Sequence, residues 1–177
     1  MKIEIVNPHD LRALPMRSTY VVKPDLSVLA TSLFTYGWIS PVVVRSKNMT
    51  IIDGHERVSL AATNRELLMD GGVPVKMVDV DDIDALIMHV ALNRGRGEVV
   101  ATRLSKLLRH VHFSRKYDQE ELAARLGMGA SEFAVLIDGS LLKSRKIPQH
   151  TYSRAWVPIE SDRDETPVTE RPPNPEG

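Results

Sequence analysis

Asp53-Gly54-His55-Glu56-Arg57 follows the apolar run Met49–Ile52 and opens a segment of helical periodicity. A glycine between a strand and a helix eases a tight turn and lets a ligand approach the backbone. The start of a helix exposes unpaired N–H groups and the positive end of its dipole, which suits a phosphate. Arg57 adds a charged fork for the same anion, whereas Glu56 repels it unless a metal or a proton intervenes. The residues also fit a plainer arrangement. Asp53 followed three positions later by Glu56 matches a capping box, with Asp in place of Ser or Thr, and His55 and Arg57 are then solvated first-turn residues. Local pattern alone leaves both open.

Other clusters are less productive. Asp79 to Asp84 (DVDDID) invites a calcium loop, but such a loop starting at Asp79 needs an acidic or amide ligand, Gly and Glu where Ile83, Asp84 and Val90 stand. A strand end followed by an acidic helix N-cap is the better reading. His110 and His112 diverge by about 200° on a helix, too far for one metal, and no pair of histidines has the spacing of a helical zinc motif. No metal site is expected. The absence of cysteine excludes disulfides, thiol nucleophiles and thiolate metal sites.

These residues must be positioned by a chain of 177 residues with 42% hydrophobic content, enough for one packed domain and a smaller second part. Residues 3–6 form a short strand. A helix begins at Pro24, with Leu26, Leu29, Ala30, Leu33 and Phe34 inward, and stops at Gly37. Residues 41–45 and 49–52 are strands, arranged as a hairpin. A helix runs from about Gly54 to Leu68 with Val58, Ala61, Ala62 and Leu68 inward, and a strand follows the turn at 70–72. Beyond residue 80 the pattern is helical: Ile83, Leu86, Ile87 and Val90, then Val100, Leu104, Leu107, Leu108 and Val111.

Residues 117–139 carry the packing pattern of a helix-turn-helix. Asp118 and Glu121 form a second cap, Leu122 and Leu126 face inward, and small Ala123 sits at the crossing. Gly127 turns the chain, Met128 plugs the turn, and Phe133 and Leu136 anchor the second helix. Its outward positions include Ser131, Glu132 and Asp138 but no basic residue, so base readout from it is weak. Phosphate contacts fall to Lys143, Arg145 and Lys146 just beyond, with Ser131 as the polar position on the helix.

Lys+Arg and Asp+Glu are equal at 23, but the balance is uneven along the chain. From Arg103 to Arg154 there are ten basic against five acidic residues, and from Glu160 onward six acidic against two basic with four prolines. The expected organisation is residues 1–97 as an N-terminal domain, 98–150 as the helical region, and 151–177 as an extended, disordered, acidic Pro-rich tail. The chain start lacks a signal-peptide pattern and no run is long enough for a membrane span, so a cytoplasmic location without membrane contact is expected.

The order of these features resembles the N-terminal domain of ParB-like proteins, in the ParB/sulfiredoxin superfamily. A helix ends at Gly37, Pro41 opens a strand, and IIDGHER, VPVKMVDVDD and a helix leading into ALNRGRGE follow, spanning about residues 24–98. The segment carrying the helix-turn-helix pattern resembles the one that follows this domain in ParB-like proteins. The resemblance implies an α+β fold: a small mixed-sheet domain with a helical C-terminal part.

It also implies a nucleotide triphosphate, CTP or ATP with Mg2+, bound at Asp53, Gly54, His55, Glu56 and Arg57 and at a second box, Asn93, Arg94 and Arg96. DNA is the implied partner, in a protein that forms a homodimer. The partition-protein form of the turn is Gly-Glu-Arg-Arg, of which Gly54 and Arg57 match. The Asp-Gly-His version looks more like the superfamily's amino-acid kinases, which makes an ATP- or ADP-dependent kinase, with Glu56 or Asp10 as base, the alternative. An adaptor without catalysis is a third reading. Leu92 stands where the second box has Glu, which argues against hydrolysis, and sulfiredoxin chemistry is excluded for want of cysteine. Read without the resemblance, residues 93–98 are a flexible link with Asn93 as a C-cap and the arginines exposed.

Overall fold

The computed structural model describes residues 2–19, 23–97 and 99–138. Four strands, β1 (Glu4–Val6), β2 (Val42–Arg45), β3 (Thr50–Asp53) and β4 (Val73–Val78), form one sheet in the order β1-β4-β2-β3. β1 runs antiparallel to β4, β4 parallel to β2, and β2 antiparallel to β3. Six helices accompany them: α1 (Lys23–Tyr36), α2 (His55–Thr63), α3 (Asp82–Arg94), α4 (Ala101–Phe113), α5 (Gln119–Arg125) and α6 (Ala130–Asp138). The architecture is α+β with a mixed sheet, as expected.

Alternation along the strands sorts the core onto the two faces of the sheet. Val42, Val44 and Ile51 pack with Leu33 of α1 and Val58 and Ala61 of α2. Val43 and Ile52, the neighbours that point the other way, pack with α3 and the helices after it. β3 is therefore buried on both faces although it is last in the sheet. Its outer edge is covered by the segment 11–19: Arg12 N–H donates to Met49 O at 2.9 Å, and Ile51 N–H to Arg12 O at 2.8 Å. Covering an edge in this way removes a row of unpaired backbone groups.

Residues on both sides of position 97 share the second cluster. Leu86 and Val90 of α3 lie with Leu104 and Leu108 of α4, Leu122 of α5 and Phe133 of α6. Leu126 and Met128 fill the turn between α5 and α6 as the pattern requires. Asp118 Oδ1 accepts the Glu121 N–H at 2.8 Å, so the second cap forms, although the Glu121 carboxylate turns to Arg125. Asp81 N-caps α3, accepting from Ile83 and Asp84, and Lys116 bonds Asp81 and Asp84. The acidic string is thus a helix start tied to the loop after α4.

Two expectations for the front half are corrected. The helix after the turn stops at Thr63 rather than Leu68. Asn64 leaves the helical region, and its Nδ2 donates at 2.8 Å to Leu60 O, a carbonyl its own backbone N–H also bonds. A side chain competing for the backbone in this way ends a helix. The 3-10 turn Arg65–Leu67 changes the phase, so Leu67 is buried while Leu68 packs half-buried against the same cluster. Phe34 is not inward but 51% exposed, while Leu33 beside it is buried.

Gly72 sits where β4 meets β1. A Cβ there would lie 2.6 Å from Val6 O and 2.7 Å from Ile5 Cγ2. Backbone cannot yield as a flexible side chain can, so Gly72→Ala is expected to cost about 1–3 kcal/mol. A lowered urea midpoint, with the slope unchanged, would show it.

Candidate functional site

β3 ends with Asp53, and Gly54 turns the chain into α2 at a φ of +95°, a conformation that side chains rarely adopt. A Cβ on Gly54 would also meet Arg57 Nη2 at 3.0 Å, so the missing side chain leaves room for that guanidinium to fold back. The capping box does not form. No side chain caps α2, and both carboxylates have other partners. The free N–H groups of the first turn remain available among the described residues.

Asp53 is 7% exposed and faces two arginines. Arg96 holds it with two bonds, Nη1 to Oδ1 at 2.8 Å and Nη2 to Oδ2 at 3.0 Å. Arg57 Nη2 adds a third contact to Oδ2 at 3.3 Å. Arg57 is not a solvated residue: its side chain is 13% exposed. Its Nη1 donates to Ser40 Oγ at 2.8 Å and also to the carbonyls of Ser40 and Pro41. It therefore fastens α2 to the chain entering β2. Arg96, with 43% of its side chain exposed, is the guanidinium that still faces solvent.

Burial pushes the Asp53 carboxyl up, but the Arg96 hydrogen bond and the two positive charges outweigh it and hold the group below its ordinary value. Burial lowers Arg57, and its partnership with Asp53 raises Arg96.

His55 is likewise half-buried and accepts the Leu14 N–H on Nε2 at 3.2 Å. Burial, helped by the nearby Arg17 charge, pushes it down to about 3. Glu56 accepts from Arg17 Nη1 at 3.1 Å. His89 of α3 lies behind, its ring 5.9 Å from that of His55. Its Nε2 accepts the Ser18 N–H at 3.0 Å and its Nδ1 lies 2.8 Å from Ile52 O. Those partners assign the neutral tautomer with the proton on Nδ1. Two neutral imidazoles thus pin the segment 14–18 across the turn.

Asn93 is inside α3 rather than at its cap, and Gly95 takes the C-cap position. Its Nδ2 donates to His89 O at 2.7 Å, so it steadies His89 from within the core. Arg94 turns away from the turn to Glu132 of α6, with two bonds of 2.8 Å. The two boxes are therefore joined through Arg96, with Asn93 underneath and Arg94 apart. Ser131 is exposed beside Glu132, and Lys143, Arg145 and Lys146 lie outside the described residues. Asp10, in the 3-10 turn Pro8–Asp10, is exposed. Among the described residues no group of three or more His, Asp or Glu could hold a metal ion, and no helix is long and apolar enough to cross a membrane.

Arg17 and His89 belong to the site without any motif to announce them. His89 could have been found from its phase, since it shares the inward stripe of α3 with Leu86, Val90 and Asn93.

No family model and no curated protein matches the sequence. Among solved structures, the chain is similar to the C-terminally truncated chromosome-partitioning protein ParB of Caulobacter crescentus complexed to the centromeric parS site. The identity is 18% and the TM-score 0.55, over 84% of this chain and 80% of that one. The fold is ParB-like. The same truncated protein complexed with CTP-gamma-S matches at 18% identity and a TM-score of 0.45, over 82% of this chain and 89% of that one. A Pnob8-like ParB-N domain matches at 17% and 0.46, over 89% of this chain and 56% of that one. Within the ParB-like fold, the turn at 53–57 and the end of α3 are the places where the sequence puts its two boxes, and Asp53–Arg96 closes them on each other.

Proposed function

We propose that this protein binds a nucleoside triphosphate, CTP before ATP, at the start of α2 and holds DNA through its helical half. The observation that carries the reading is the Asp53–Arg96 pair. It brings a guanidinium 43 positions away in sequence beside the uncapped first turn of α2 and leaves it partly exposed. The N–H groups of His55, Glu56 and Arg57 would take phosphate oxygens, and Arg96 would supply the charged fork. Arg17, Arg57 and Arg96 against Asp53 and Glu56 leave a net positive charge for the anion. Mg2+ would enter with the phosphates and keep most of its waters, as it does where a protein offers no cage of its own. Leu92 in place of the family's Glu favours binding without hydrolysis.

The kinase reading ranks lower, because Arg96 occupies both oxygens of Asp53 and leaves none committed to a metal. DNA is proposed as partner because the fold is shared with a partitioning protein seen on a centromeric site, and because basic residues cluster after α6. The contacts would be mostly to phosphates, through Lys143, Arg145 and Lys146 with Ser131 nearby.

Calorimetry with CTP, ATP, GTP and ADP, with and without Mg2+ and duplex DNA, tests the reading. Arg96→Ala is expected to weaken the preferred nucleotide at least tenfold, equivalent to about 1.4 kcal/mol. A blank for every nucleotide would end the proposal. For DNA, K143A/R145A/K146A should flatten the dependence of affinity on salt.

A further inference from the structure

The two ends of the β2–β3 hairpin carry different chemistry. Asp53 lies at one end, and Arg45 pairs with Thr50 at the other, roughly 10 Å along the strands. There a cavity of about 300 Å³ opens between the hairpin, Leu14 and Pro15, and the start of α3. That volume is at the lower end of the range for small-molecule sites.

Arg45 is the unusual feature of its wall. The residue is 4% exposed. Its Nε donates to Val80 O at 2.8 Å, and its Nη1 bonds Asp82. The partner carboxylate is not buried with it, because the Asp82 side chain is 81% exposed. Arg45 Nη2 donates to none of the described residues. A buried cation is thus answered by one carboxylate that can swing into water, while a second edge of its fork has no acceptor among the described residues. A guanidinium presents five donors and no acceptor.

Asn48 lines the same cavity. Its Oδ1 accepts the Thr50 N–H at 3.3 Å, which leaves its amide N–H groups as donors without a described partner. Thr50 and His110 are further polar residues of the lining, and Leu14, Pro15 and Leu86 are its apolar ones.

We propose that this cavity binds a small organic carboxylate, with its carboxylate on Arg45 and Asn48 and a short apolar stem against Leu14 and Leu86. The donors among its lining residues call for an oxyanion, since a neutral apolar guest would desolvate Arg45 without replacing its hydrogen bonds. The apolar wall calls for a stem, which an inorganic anion lacks. Asp82 acts as a displaceable competitor at the mouth. The proposal does not depend on nucleotide binding, because the residues that grip the anion are remote from Asp53. Leu14 touches both places, lining the cavity here and donating its N–H to His55.

Titration of the full chain with butyrate, acetate and inorganic phosphate, followed by amide chemical shifts, tests it. Butyrate is expected to move the Asn48, Thr50 and Ala85 signals along a saturating curve, and to bind more tightly than acetate. Asn48→Asp keeps the oxygen that serves Thr50 but replaces donors with a negative charge, and should weaken butyrate at least tenfold. Asp82→Asn removes the competitor and should tighten it several-fold. Both positions reach solvent, so both variants should fold, which unchanged near-ultraviolet circular dichroism would verify. Opposite signs from the two variants are not expected of a purely structural Arg45. Shifts that never saturate, shifts centred on His55–Arg57, indifference to Asn48→Asp, or weaker binding by Asp82→Asn would each overturn the site. Phosphate binding more tightly than butyrate would overturn the ligand class.

Discussion

Asp53→Ala is expected to lower the stability of the fold by about 2–3 kcal/mol, read as a fall in the urea midpoint at neutral pH. Removing one partner of a buried ion pair leaves the other charge uncompensated, which typically costs about 3–5 kcal/mol. Two features reduce that here. Arg96 is partly exposed and can turn to water, and Arg57 keeps its acceptors on Ser40 and Pro41. Asp53→Asn should be nearly as harmful, because its amide N–H2 would face guanidinium donors. The loss should shrink by at least about 1 kcal/mol in an Arg96→Met background, the coupling expected of residues in direct contact. Additive losses would mean that the two side chains do not meet in solution.

The sign with pH follows from the direction of the shift. Asp53 is depressed in the folded state, so its stabilisation is present above the ordinary carboxylate range and is lost as pH falls through its folded value. That loss comes below the ordinary carboxylate range.

Between pH 6.5 and 4.5 a different pair of groups is expected to drain stability, by roughly 2–3 kcal/mol from His55 alone. His55 is pushed down to about 3, so over this interval the unfolded chain takes up a proton that the folded chain refuses. Stability is therefore full above the ordinary histidine value and falls as pH drops below it. His89, lowered mainly by burial, acts in the same direction. Arg17 disfavours the charged form of both, while Asp53 favours it and, for His89, so does the Ile52 carbonyl.

The structural cause is the same for both rings. Each Nε2 accepts a backbone N–H, from Leu14 and from Ser18. A second proton would set donor against donor and loosen the segment 14–18 over the start of α2. Urea midpoints from pH 7.5 to 4.5 would measure the loss, and His55→Gln, which keeps an acceptor oxygen without titrating, should remove about one proton from the slope. Ring signals of His55 or His89 that titrate near pH 6.5 in the folded protein would refute the assignment.

Much of the architecture could be read locally. Pro24 and Gly37 bracket α1, the β-branched runs become β2 and β3, and Asp81 and Asp118 cap the helices that follow them. The inward stripe of α4 and the residues that fill the turn between α5 and α6 were legible for the same reason. A helical or strand period records which face is buried, whatever covers it. At the end of α2 the reading failed because a side chain competes for the backbone. Asn64 takes a helix carbonyl and ends α2 early, and the change of phase buries Leu67 beside the half-buried Leu68.

The site was legible only as a place. Residues 53–57 announced a strand-to-helix turn, and both the turn and its uncapped helix start are present. Their side-chain partners were not legible. Asp53 pairs with Arg96 rather than capping its own helix, Glu56 with Arg17, and His55 with the Leu14 N–H, across separations of 39 to 43 residues. Sequence by itself determined the elements, the N-caps of α3 and α5 and the position of the bend, since those depend on neighbours within a turn or a strand pair. Only the tertiary structure decided which charges meet, which histidines stay neutral and which arginine is left facing solvent. A charged side chain bonds whichever partner the fold brings within about 3 Å, and no local period encodes that choice.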